Sequence, residues 1–469
     1  MLTHMATGDR TLVVDNPFTG ERACSVDLAG ESAAEAVLER ARIASRAWRT
    51  TNLQERISLC EHMVGALEAK GAGIAADITR MMGKPLAQAL AEVKTCAARA
   101  RHMVEIAEGA LADLVLPLSD RFERRIVREP LGVVLDLPAW NYPLLTAVNC
   151  VVPAVLSGNA VIVKHSPRTP LCGEHFARAF ADAGAPAGLV QALHCDHAMS
   201  GRLVGDRRVD HVVFTGSIFG GHRIVEAAST RFLHPCLELG GNDPAYVAPD
   251  CDLAHSVESI VDGAMYNAGQ SCCAVERVYV HKAVYKTFLE MAEPLVCGYV
   301  MGDPASEKTT LGPIAQPQHA AELEAFVHDA RVRGGRLMAG GKGTTVQGRG
   351  RFFEATLIAD CSQSMKLFRQ ESFGPILPVL PVDSDDEALA KMNDSALGLT
   401  ASVWTRDRER AGRFARSLEY GTVFMNRCDY LDPALPWSGW KDSGRGISLS
   451  ALGFDGLTRP KSLHFRLSW

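Results

Sequence analysis

Apolar residues in the first part of the chain recur at every third or fourth position, which is the spacing that buries one face of a helix. Val37 and Ala41 belong to such a run, and it predicts a helix over residues 31–48. Ser32 and Glu35 fit a capping box, in which each side chain bonds the backbone N–H of the other residue, and would open this helix.

Two further stretches with helical spacing and few Gly or Pro breaks predict helices over residues 54–80 and 84–109. Residues 71–76 (GAGIAA) also match the loose dinucleotide-binding pattern G-x-G-x-x-A. That pattern requires a preceding strand, whereas a helical pattern precedes it here. We therefore interpret the segment as part of a helix, and the first hundred residues as mostly helical.

From Gly132 onwards, short apolar runs alternate with helical segments, an arrangement typical of a parallel sheet with crossover helices. The predicted strands are Val133–Leu137, Ala160–Val163, Val190–Leu193 and Val212–Thr215. The fold class that this alternation predicts is α/β.

An exposed arm and a glycine-rich loop are predicted outside these regions. Residues 121–128 (RFERRIVR) are charged and β-prone, which fits an exposed arm better than a core strand, and residues 462–467 offer a matching terminal strand. In the glycine-rich residues 334–350, Lys342 is followed by Gly343 rather than by Ser or Thr. A phosphate-binding loop is therefore disfavoured there, and we interpret the segment as a surface loop.

Composition narrows the class of protein. A chain of 469 residues exceeds what one hydrophobic core fills, and 47% hydrophobic with 22% charged residues is the balance of a globular enzyme. The net charge of −5 has no basic stripe, and no run of about 18 apolar residues occurs, which argues against nucleic acid and membrane as partners. Thirteen cysteines without disulfide spacing, and no leader pattern in Met1–Asp9, favour the cytoplasm.

The segment from Gly269 to Cys273 (GQSCC) carries the first candidate chemistry. Glycine lets the backbone approach a ligand closely, and the Cys272 thiol that follows can act as a nucleophile. Taken alone, a buried structural cysteine is the more common case.

Three more polar groups follow apolar runs. Glu238 ends one run beside two glycines, and Asn141 ends another and can donate N–H groups to a developing oxyanion. Ser217 ends a third run and opens a helix whose N–H groups can bind a pyrophosphate. Taken alone, these residues fit a surface acid, a turn asparagine and a helix cap.

Taken together and in order, these segments resemble the aldehyde dehydrogenase superfamily along essentially the whole chain. The resemblance is carried by NPFTGE at 16–21, WNYP at 140–143, Lys164, FTGS at 214–217, ELGG at 238–241, GQSC at 269–272, ESFGP at 371–375 and PWSGWKDSGRG at 436–446. The interval between Glu238 and Cys272 is the one expected in hydrolytic members.

The resemblance implies NAD(P)-dependent oxidation of an aldehyde to the carboxylic acid, without a metal. Cys272 would attack the aldehyde as a thiolate, and the Asn141 amide and the Cys272 backbone N–H would hold the oxygen. Glu238 would deprotonate the water that hydrolyses the thioester. The alternatives are a cofactor-independent thioester or ester hydrolase with the same residues, and a non-catalytic binding scaffold.

The resemblance also implies a bound dinucleotide, with NAD expected and NADP as the alternative. The predicted cofactor-binding residues are Trp140, Lys164, Phe214, Gly216, Ser217, Leu239, Gly240, Glu371 and Phe373. Pro167 and Arg168 follow Lys164 where NAD-preferring relatives often carry an acid. Arg168 is thus expected either to attract a 2′-phosphate or to face solvent.

Two charged residues of many relatives are absent from this sequence. A Lys nine positions after the oxyanion Asn and a Glu in the SGxGRE pattern are thought to relay protons from the general base. Cys150 and Ser448 stand there instead. We therefore expect Glu238 to exchange its proton through water or backbone groups.

The predicted substrate-binding residues are Tyr142, Leu145, Asn149, Ser271, Cys273, Asp429, Tyr430 and Trp437. Asn149 stands where succinate-semialdehyde relatives place an Arg, so a substrate with a second carboxylate is expected to be disfavoured. Asp429 and Asp432 in the cavity mouth, beside Tyr430, would suit a cationic aminoaldehyde, unless they are solvated or capping groups.

The implied architecture is α/β, aldehyde dehydrogenase-like, in three parts. They are a Rossmann-type cofactor domain (1–111 and 131–241), an α/β catalytic domain (242–454) and a small β oligomerisation arm (112–130 and 455–469). The arm is expected to form a homodimer or homotetramer. The expected partners are therefore a small-molecule aldehyde and further copies of the chain.

Overall fold

The computed structural model describes residues 11–119 and 121–468, so the segment Met1–Asp9, on which the leader prediction rests, lies outside the described residues. The helices are α1 (Glu31–Trp48), α2 (Leu53–Ala69), α3 (Gly71–Met82), α4 (Leu86–Leu111), α5 (Pro143–Leu156), α6 (Leu171–Asp182), α7 (His197–Gly205), α8 (Ile218–Ala228), α9 (Leu253–Met265), α10 (Lys282–Cys297), α11 (His319–Val332), α12 (Asp385–Asn393) and α13 (Arg408–Ser417). None of these described helices is both long and apolar enough to cross a membrane.

The strands, in chain order, are β1 (Thr11–Asp15), β2 (Arg22–Asp27), β3 (Leu114–Val115), β4 (Phe122–Pro130), β5 (Val133–Leu137), β6 (Ala160–Val163), β7 (Val190–Ala192), β8 (His211–Thr215), β9 (Cys236–Glu238), β10 (Asp243–Val247), β11 (Val275–His281), β12 (Arg336–Ala339), β13 (Gly343–Val346), β14 (Arg349–Phe353), β15 (Thr356–Ala359), β16 (Ile376–Val382), β17 (Leu397–Gly398), β18 (Thr400–Trp404), β19 (Thr422–Met425), β20 (Trp440–Lys441), β21 (Gly444–Arg445) and β22 (Thr458–Arg466). Short 3-10 helices cover Tyr266–Gly269, Lys366–Phe368 and Ala451–Leu457.

The first large sheet contains the four strands that the sequence predicted. Its order is β21-β9-β8-β5-β6-β7, with β21 antiparallel at the edge and the other five parallel. The bounds of β5 and β6 are as predicted, whereas β7 ends at Ala192 and β8 begins at His211. Every residue of β5 and β6 is buried, as in a sheet covered by helices on both faces. The carboxyl ends of the parallel strands therefore meet at one edge.

The second large sheet has the order β12-β15-β16-β11-β10-β18-β19 and is parallel except for β12. Two parallel sheets with crossover helices confirm the α/β fold class. The domain boundary at residues 241 and 242 stays a prediction.

The predicted arm is a three-stranded antiparallel sheet of order β22-β4-β3. β22 pairs with β4 along its whole length, from Thr458 opposite Pro130 to Arg466 opposite Phe122. The terminal strand thus begins at Thr458, earlier than the predicted Ser462. Its burial pattern is mostly exposed, as expected for an arm.

Two details of the helix prediction are wrong. Residues 54–80 form two helices, because Lys70 between them has a φ of −102° and a ψ of 6°, outside the helical region. The helix over 31–48 is present, but Gly30 is its N-cap and no side chain caps it. Ser32 already lies inside the first turn, so the predicted capping box is absent.

Three other predicted segments lie in the helical part and in the glycine-rich region. The predicted helix 84–109 runs over Leu86–Leu111, and residues 71–76 lie inside α3, as interpreted. The predicted surface loop 334–350 is instead built from β12 and the hairpin β13–β14. Its glycines supply the positive φ of the turns, as at Gly348 with 73°, which is why a strand pattern was hidden in a glycine-rich sequence.

A buried ion pair lies at the start of α4 and contacts α5. The side chains of Lys84 and Glu92 pair directly and are 0% and 1% exposed. The other oxygen of Glu92 accepts the Leu144 backbone N–H at 2.8 Å, in the first turn of α5. The Lys84 ammonium also lies 4.0 Å above the ring of Tyr142. These contacts fix the start of α5, which follows the Asn141 turn.

Glu92→Ala is expected to lower the free energy of unfolding by about 3–5 kcal/mol, because it leaves the Lys84 ammonium buried without a counter-ion. Guanidinium-induced unfolding measures the change. Glu105→Ala is the matched control, since Glu105 is exposed on the same helix, and should change stability by less than about 0.5 kcal/mol. Equal losses in the two variants would contradict the prediction.

Candidate active site

A cavity of about 450 Å³ lies between α4, α5, the ends of β8 and β9, and the loops 266–274 and 426–437. The three predicted catalytic residues, Cys272, Glu238 and Asn141, all line it. They come from three separate parts of the chain, so their convergence is a property of the fold.

A strained turn between α9 and β11 delivers Cys272 to the cavity. The three consecutive residues Asn267–Gly269 have left-handed φ values of 54°, 56° and 67°. This conformation costs a residue with a side chain roughly 1–2 kcal/mol. A Cβ on Gly269 would overlap the backbone of Gly374, so the position requires glycine. After the turn, Cys272 lies half-buried in the cavity wall.

Side-chain amides hold this turn in place. The Asn267 amide donates to the carbonyl oxygens of Gln270 at 3.0 Å and Asn141 at 3.1 Å. The Gln270 amide donates to the Asn267 carbonyl and accepts the Ala315 N–H. Gln88 of α4 accepts the Asn267 backbone N–H at 3.1 Å. The turn carrying the thiol and the turn carrying Asn141 are therefore bonded to each other.

Glu238 ends β9 and is held by two hydroxyl groups. Thr215 is its register partner on β8, and the Thr215 hydroxyl donates to one carboxylate oxygen at 3.0 Å. The Ser448 hydroxyl donates a short hydrogen bond to the other. Burial raises the pKa of Glu238 above its usual value, while these two bonds act to lower it. The expectation that water or backbone groups alone serve Glu238 therefore omitted two direct partners.

Two unused N–H donors lie beside the thiol. Asn141 is 5% exposed, and its side-chain amide lines the cavity without a hydrogen-bond partner in the described part of the chain. The backbone N–H of Cys272 likewise has no partner among the described residues. Buried amides normally find partners, so this pair is suited to binding an oxygen of a ligand.

The predicted cofactor residues lie along the carboxyl edge of the first sheet. Trp140 follows β5, Lys164 follows β6, Ser217 follows β8 and Gly240 follows β9. Lys164 is 6% exposed, and its side-chain ammonium has neither a hydrogen bond nor an ion pair with any described residue. Ligands of parallel α/β sheets bind at this edge, so the unpaired ammonium fits an anionic or hydroxylated ligand.

A helix terminus and a carboxylate extend the same edge. Ser217 is the N-cap of α8, and its hydroxyl accepts the Gly220 N–H at 3.1 Å. The N–H groups of Ile218 and Phe219, which precede Gly220 in the first turn, have no helical acceptor and are available to a phosphate. The Glu371 carboxylate accepts the Gly241 N–H at 3.0 Å.

Small and aromatic residues shape the remaining surface. A Cβ on Gly240 would strike the Glu371 carboxylate, and one on Gly241 would strike the Cys272 carbonyl. Trp140 and Phe373 pack edge to face with centroids 5.6 Å apart. The other predicted cofactor residues occupy neighbouring positions: Phe214 fills the space that side chains at Gly216 and Gly220 would need, and Leu239 lines the cavity.

Both alternatives stated for Arg168 are wrong. Arg168 is 8% exposed, its guanidinium forms an ion pair with the Asp15 carboxylate, and it donates to the Asp15 carbonyl at 2.6 Å. It therefore neither faces solvent nor presents an unpaired charge to a 2′-phosphate. Arg351 shares the same carboxylate, and the two arginines hold the pKa of Asp15 at about 2 against the effect of burial.

All eight predicted substrate residues line the cavity: Tyr142, Leu145, Asn149, Ser271, Cys273, Asp429, Tyr430 and Trp437. Asp432 does not line it and is exposed.

Asp429 is a hydrogen-bonded residue of the cavity wall and not a solvated loop acid, which was one of the expected alternatives. Its carboxylate accepts hydrogen bonds from Ser271 at 3.2 Å and Cys273 at 3.1 Å, and burial raises its pKa to about 6. The face of Tyr430 is covered by the guanidinium of Arg427 at 3.3 Å. A cation from a substrate would thus have to displace one that the protein already supplies.

Sequence reasoning missed the contribution of α4 to the cavity. Glu92, Thr95 and Arg99 line it and are spaced by three and four residues, so they share one helix face. Polar residues at helical spacing on an otherwise buried face were the available signal. Arg99 in particular donates to Asn149 at 2.9 Å. The expectation that a second carboxylate is disfavoured rested on Asn149 alone and did not consider Arg99.

Comparisons with known proteins agree with this geometry. The model of the aldehyde dehydrogenase family matches residues 4–463. An aldehyde dehydrogenase of Paenarthrobacter nicotinovorans is 35% identical over 441 residues, 93% of this chain and 96% of that protein. The succinate semialdehyde dehydrogenase Sad of Escherichia coli (strain K12), named as using NAD(P)+, is 34% identical over 438 residues, 93% of this chain and 94% of that protein. A solved structure of indole-3-acetaldehyde dehydrogenase complexed with NAD+ has a TM-score of 0.95 and 30% identity, covering 100% of this chain and 95% of that one.

The cysteines should differ in their reaction with iodoacetamide. Cys272 in the cavity wall and Cys297 on the surface are expected to react first. Cys273 should react slowly, because its hydrogen bond to Cys272, burial and the charge of Asp429 all raise its pKa. Mass spectrometry of peptides after limited labelling at pH 8 measures the order, with Cys272→Ala to assign the site. Faster labelling of Cys273 than of Cys272 would refute this geometry.

Proposed function

This chain belongs to the aldehyde dehydrogenase family, and from that premise we propose that Cys272 is its nucleophile, Glu238 its general base and Asn141 its oxyanion-binding amide. The protein is an NAD(P)-dependent oxidoreductase that converts an aldehyde to a carboxylic acid. The observation that carries the residue assignment is the convergence of these three side chains on one cavity.

The first step is addition of the Cys272 thiolate to the aldehyde carbon. The oxygen becomes negatively charged, and the Asn141 amide and the Cys272 N–H, which lack other partners, donate hydrogen bonds to it. A bound nicotinamide dinucleotide would supply the hydride acceptor, and loss of a hydride from this carbon would leave a thioester on Cys272. Each group that touches the reacting atoms is thus supplied by a rigid turn or strand end.

Glu238 has the environment of a general base for thioester hydrolysis. Burial raises the pKa of its carboxyl and so increases its basicity, while the Thr215 and Ser448 hydroxyls fix its orientation. A base of this kind deprotonates water near neutral pH. Attack of that water on the thioester releases the acid and returns Cys272 to the thiol.

The residues at the sheet edge fit a dinucleotide. Lys164 would bind a ribose, the N-terminus of α8 the pyrophosphate, and Glu371 the ribose nearest the reacting carbon. NAD and NADP are both cofactors of this family's named members. With Pro167 in place of an acid and Arg168 held by Asp15, this chain neither repels a 2′-phosphate nor pairs it with Arg168.

The cofactor-independent hydrolase and the binding scaffold are not supported, because all three catalytic residues are retained beside an intact cofactor edge.

The sheet of β3, β4 and β22 carries exposed apolar side chains such as Leu114, Val115 and Phe465, which supports a role in forming a homodimer or homotetramer. A cytoplasmic location is supported by the cysteine composition, since all thirteen are free thiols.

Cys272→Ala should lower the rate of aldehyde-dependent cofactor reduction by roughly 10³-fold or more. Glu238→Gln should lower turnover by about 10²-fold or more. It should also leave a burst of about one reduced cofactor per active site, with acylated Cys272 detected by intact mass. Stopped-flow absorbance measures both, and Cys297→Ala is the control cysteine. Full activity in Cys272→Ala would reject the proposed nucleophile.

Ser448→Ala should move the acidic limb of the kcat/KM profile to higher pH. The lost hydrogen bond favoured the ionised carboxylate, so its removal raises the pKa of Glu238, and activity falls more at pH 6 than at pH 9. The control is Ser450→Ala, a buried serine whose hydroxyl accepts the Leu452 N–H. An unchanged profile in Ser448→Ala would mean that Glu238 does not govern that limb.

A further inference from the structure

Arg99 is a buried cation in the wall of the substrate cavity. It lies on α4, is 4% exposed and lines the cavity together with Glu92 and Thr95 from the same helix face. An arginine remains charged in such a setting, and a charge removed from water is costly unless it is paired.

The protein satisfies this guanidinium only in part. One terminal nitrogen donates to the Asn149 side chain at 2.9 Å and, more weakly, to the Leu145 carbonyl at 3.4 Å. The Nε atom is buried and has no hydrogen-bond partner among the described residues. No carboxylate in the described part of the chain forms an ion pair with Arg99, so its charge has no direct partner there.

Two other buried cations, Lys84 and Arg277, have a fuller set of partners. Lys84 has Glu92 as a direct partner. Arg277, which is fully buried, donates to the hydroxyls of Tyr279 and Tyr420 and to three backbone carbonyls. Arg168 also has a buried Nε without a partner, but its guanidinium pairs with the Asp15 carboxylate. Among the described buried arginines, Arg99 is therefore the one with neither a carboxylate partner nor a hydrogen bond from every nitrogen.

The acidic side chains around the cavity already accept hydrogen bonds from groups other than Arg99. Glu92 is bonded to Lys84 and the Leu144 N–H, and Glu238 to Thr215 and Ser448. Asp429 accepts hydrogen bonds from the Ser271 hydroxyl and the Cys273 thiol. On α9, Asp262 accepts from the Tyr299 hydroxyl, and His255 interacts with the carbonyl of Asn426. The cation over Tyr430, Arg427, is itself exposed.

We propose that Arg99 binds a carboxylate at the far end of the substrate, so that the enzyme oxidises aldehydes that carry an acid group. This inference rests on the proposed function of Cys272. A guanidinium is the protein group best matched to a carboxylate, because its planar fork donates two parallel N–H bonds. Leu145, Leu239 and Trp437 supply apolar wall for the methylene groups between the two ends. Asn149 orients the guanidinium from the opposite helix.

The test compares three aldehydes of equal chain length: 4-oxobutanoate, butanal and 4-aminobutanal. The wild-type enzyme should prefer 4-oxobutanoate by at least about tenfold in kcat/KM. Arg99→Leu should lower kcat/KM for 4-oxobutanoate by roughly 10²-fold, mainly through KM, and change that for butanal by less than about threefold. Arg99→Lys should recover part of the loss. Arg101→Leu is the matched control, because Arg101 is exposed on the same helix and pairs with Glu68.

A binding measurement separates this inference from the catalytic assignment. Calorimetry with Cys272→Ala, which cannot turn over, should detect 4-oxobutanoate, and the double variant Cys272→Ala/Arg99→Leu should bind it roughly 10²-fold more weakly. Arg99→Leu removes an unpaired buried charge and should not lower the melting temperature of the protein. If Arg99→Leu fails to fold, the substrate preferences of Arg99→Lys and of the wild-type enzyme test the role of Arg99 instead. A preference for butanal or 4-aminobutanal, or equal losses for all substrates in Arg99→Leu, would overturn the role of Arg99. Cofactor reduction that survives Cys272→Ala would instead overturn the proposed nucleophile.

Discussion

The left-handed turn at Asn267–Gly269 is the constraint on which the site depends. Three residues in a conformation that L-amino acids avoid are held by the amides of Asn267, Gln270 and Gln88. The strain is offset because the same bonds join the turn to the carbonyl of Asn141. If the turn relaxed to ordinary helix, Cys272 would leave the wall and the two oxygen-binding N–H groups would separate. The Cys272 thiol and the proposed oxyanion-binding groups are therefore positioned together by one set of hydrogen bonds.

Helix α4 has two roles in the cavity. Through Glu92 it bonds the first turn of α5, and with Lys84 it buries a fixed ion pair behind Tyr142. About two turns further along α4, Arg99 contacts α5 again at Asn149 and keeps part of its hydrogen-bonding capacity unused. The same helix therefore stabilises the catalytic end of the cavity and presents a cation at another point. Substrate selection and thiol positioning use different residues of one element.

The sequence predicted best what depends on local pattern. The strands around Val133 and Ala160 follow from apolar runs bounded by small residues. The motifs around Cys272, Glu238 and Asn141 predicted three residues that line one cavity in the structure. Contacts between side chains that are far apart in the sequence could not be predicted. Arg168 looked unpaired because its partner, Asp15, lies far away in sequence, and the role of Arg99 depends on how α4 crosses α5. A helix break at Lys70 was missed because a single non-helical residue leaves the apolar period intact.

Loss of the charged relay around Glu238 has a physical consequence. Cys150 does not neutralise the buried Asp136 as a lysine would, and burial together with the Glu238 charge raises the pKa of Asp136 well above its usual range. The raised pKa of Asp136 favours its uncharged form, which lessens its repulsion of Glu238. The Ser448 and Thr215 hydroxyls stabilise the Glu238 carboxylate in place of a fixed cation. The remaining positive influence is Arg99, whose charge lowers the pKa of Glu238. A carboxylate bound at Arg99 would cancel that influence, so Glu238 would be more basic with such a substrate in place than in the free enzyme.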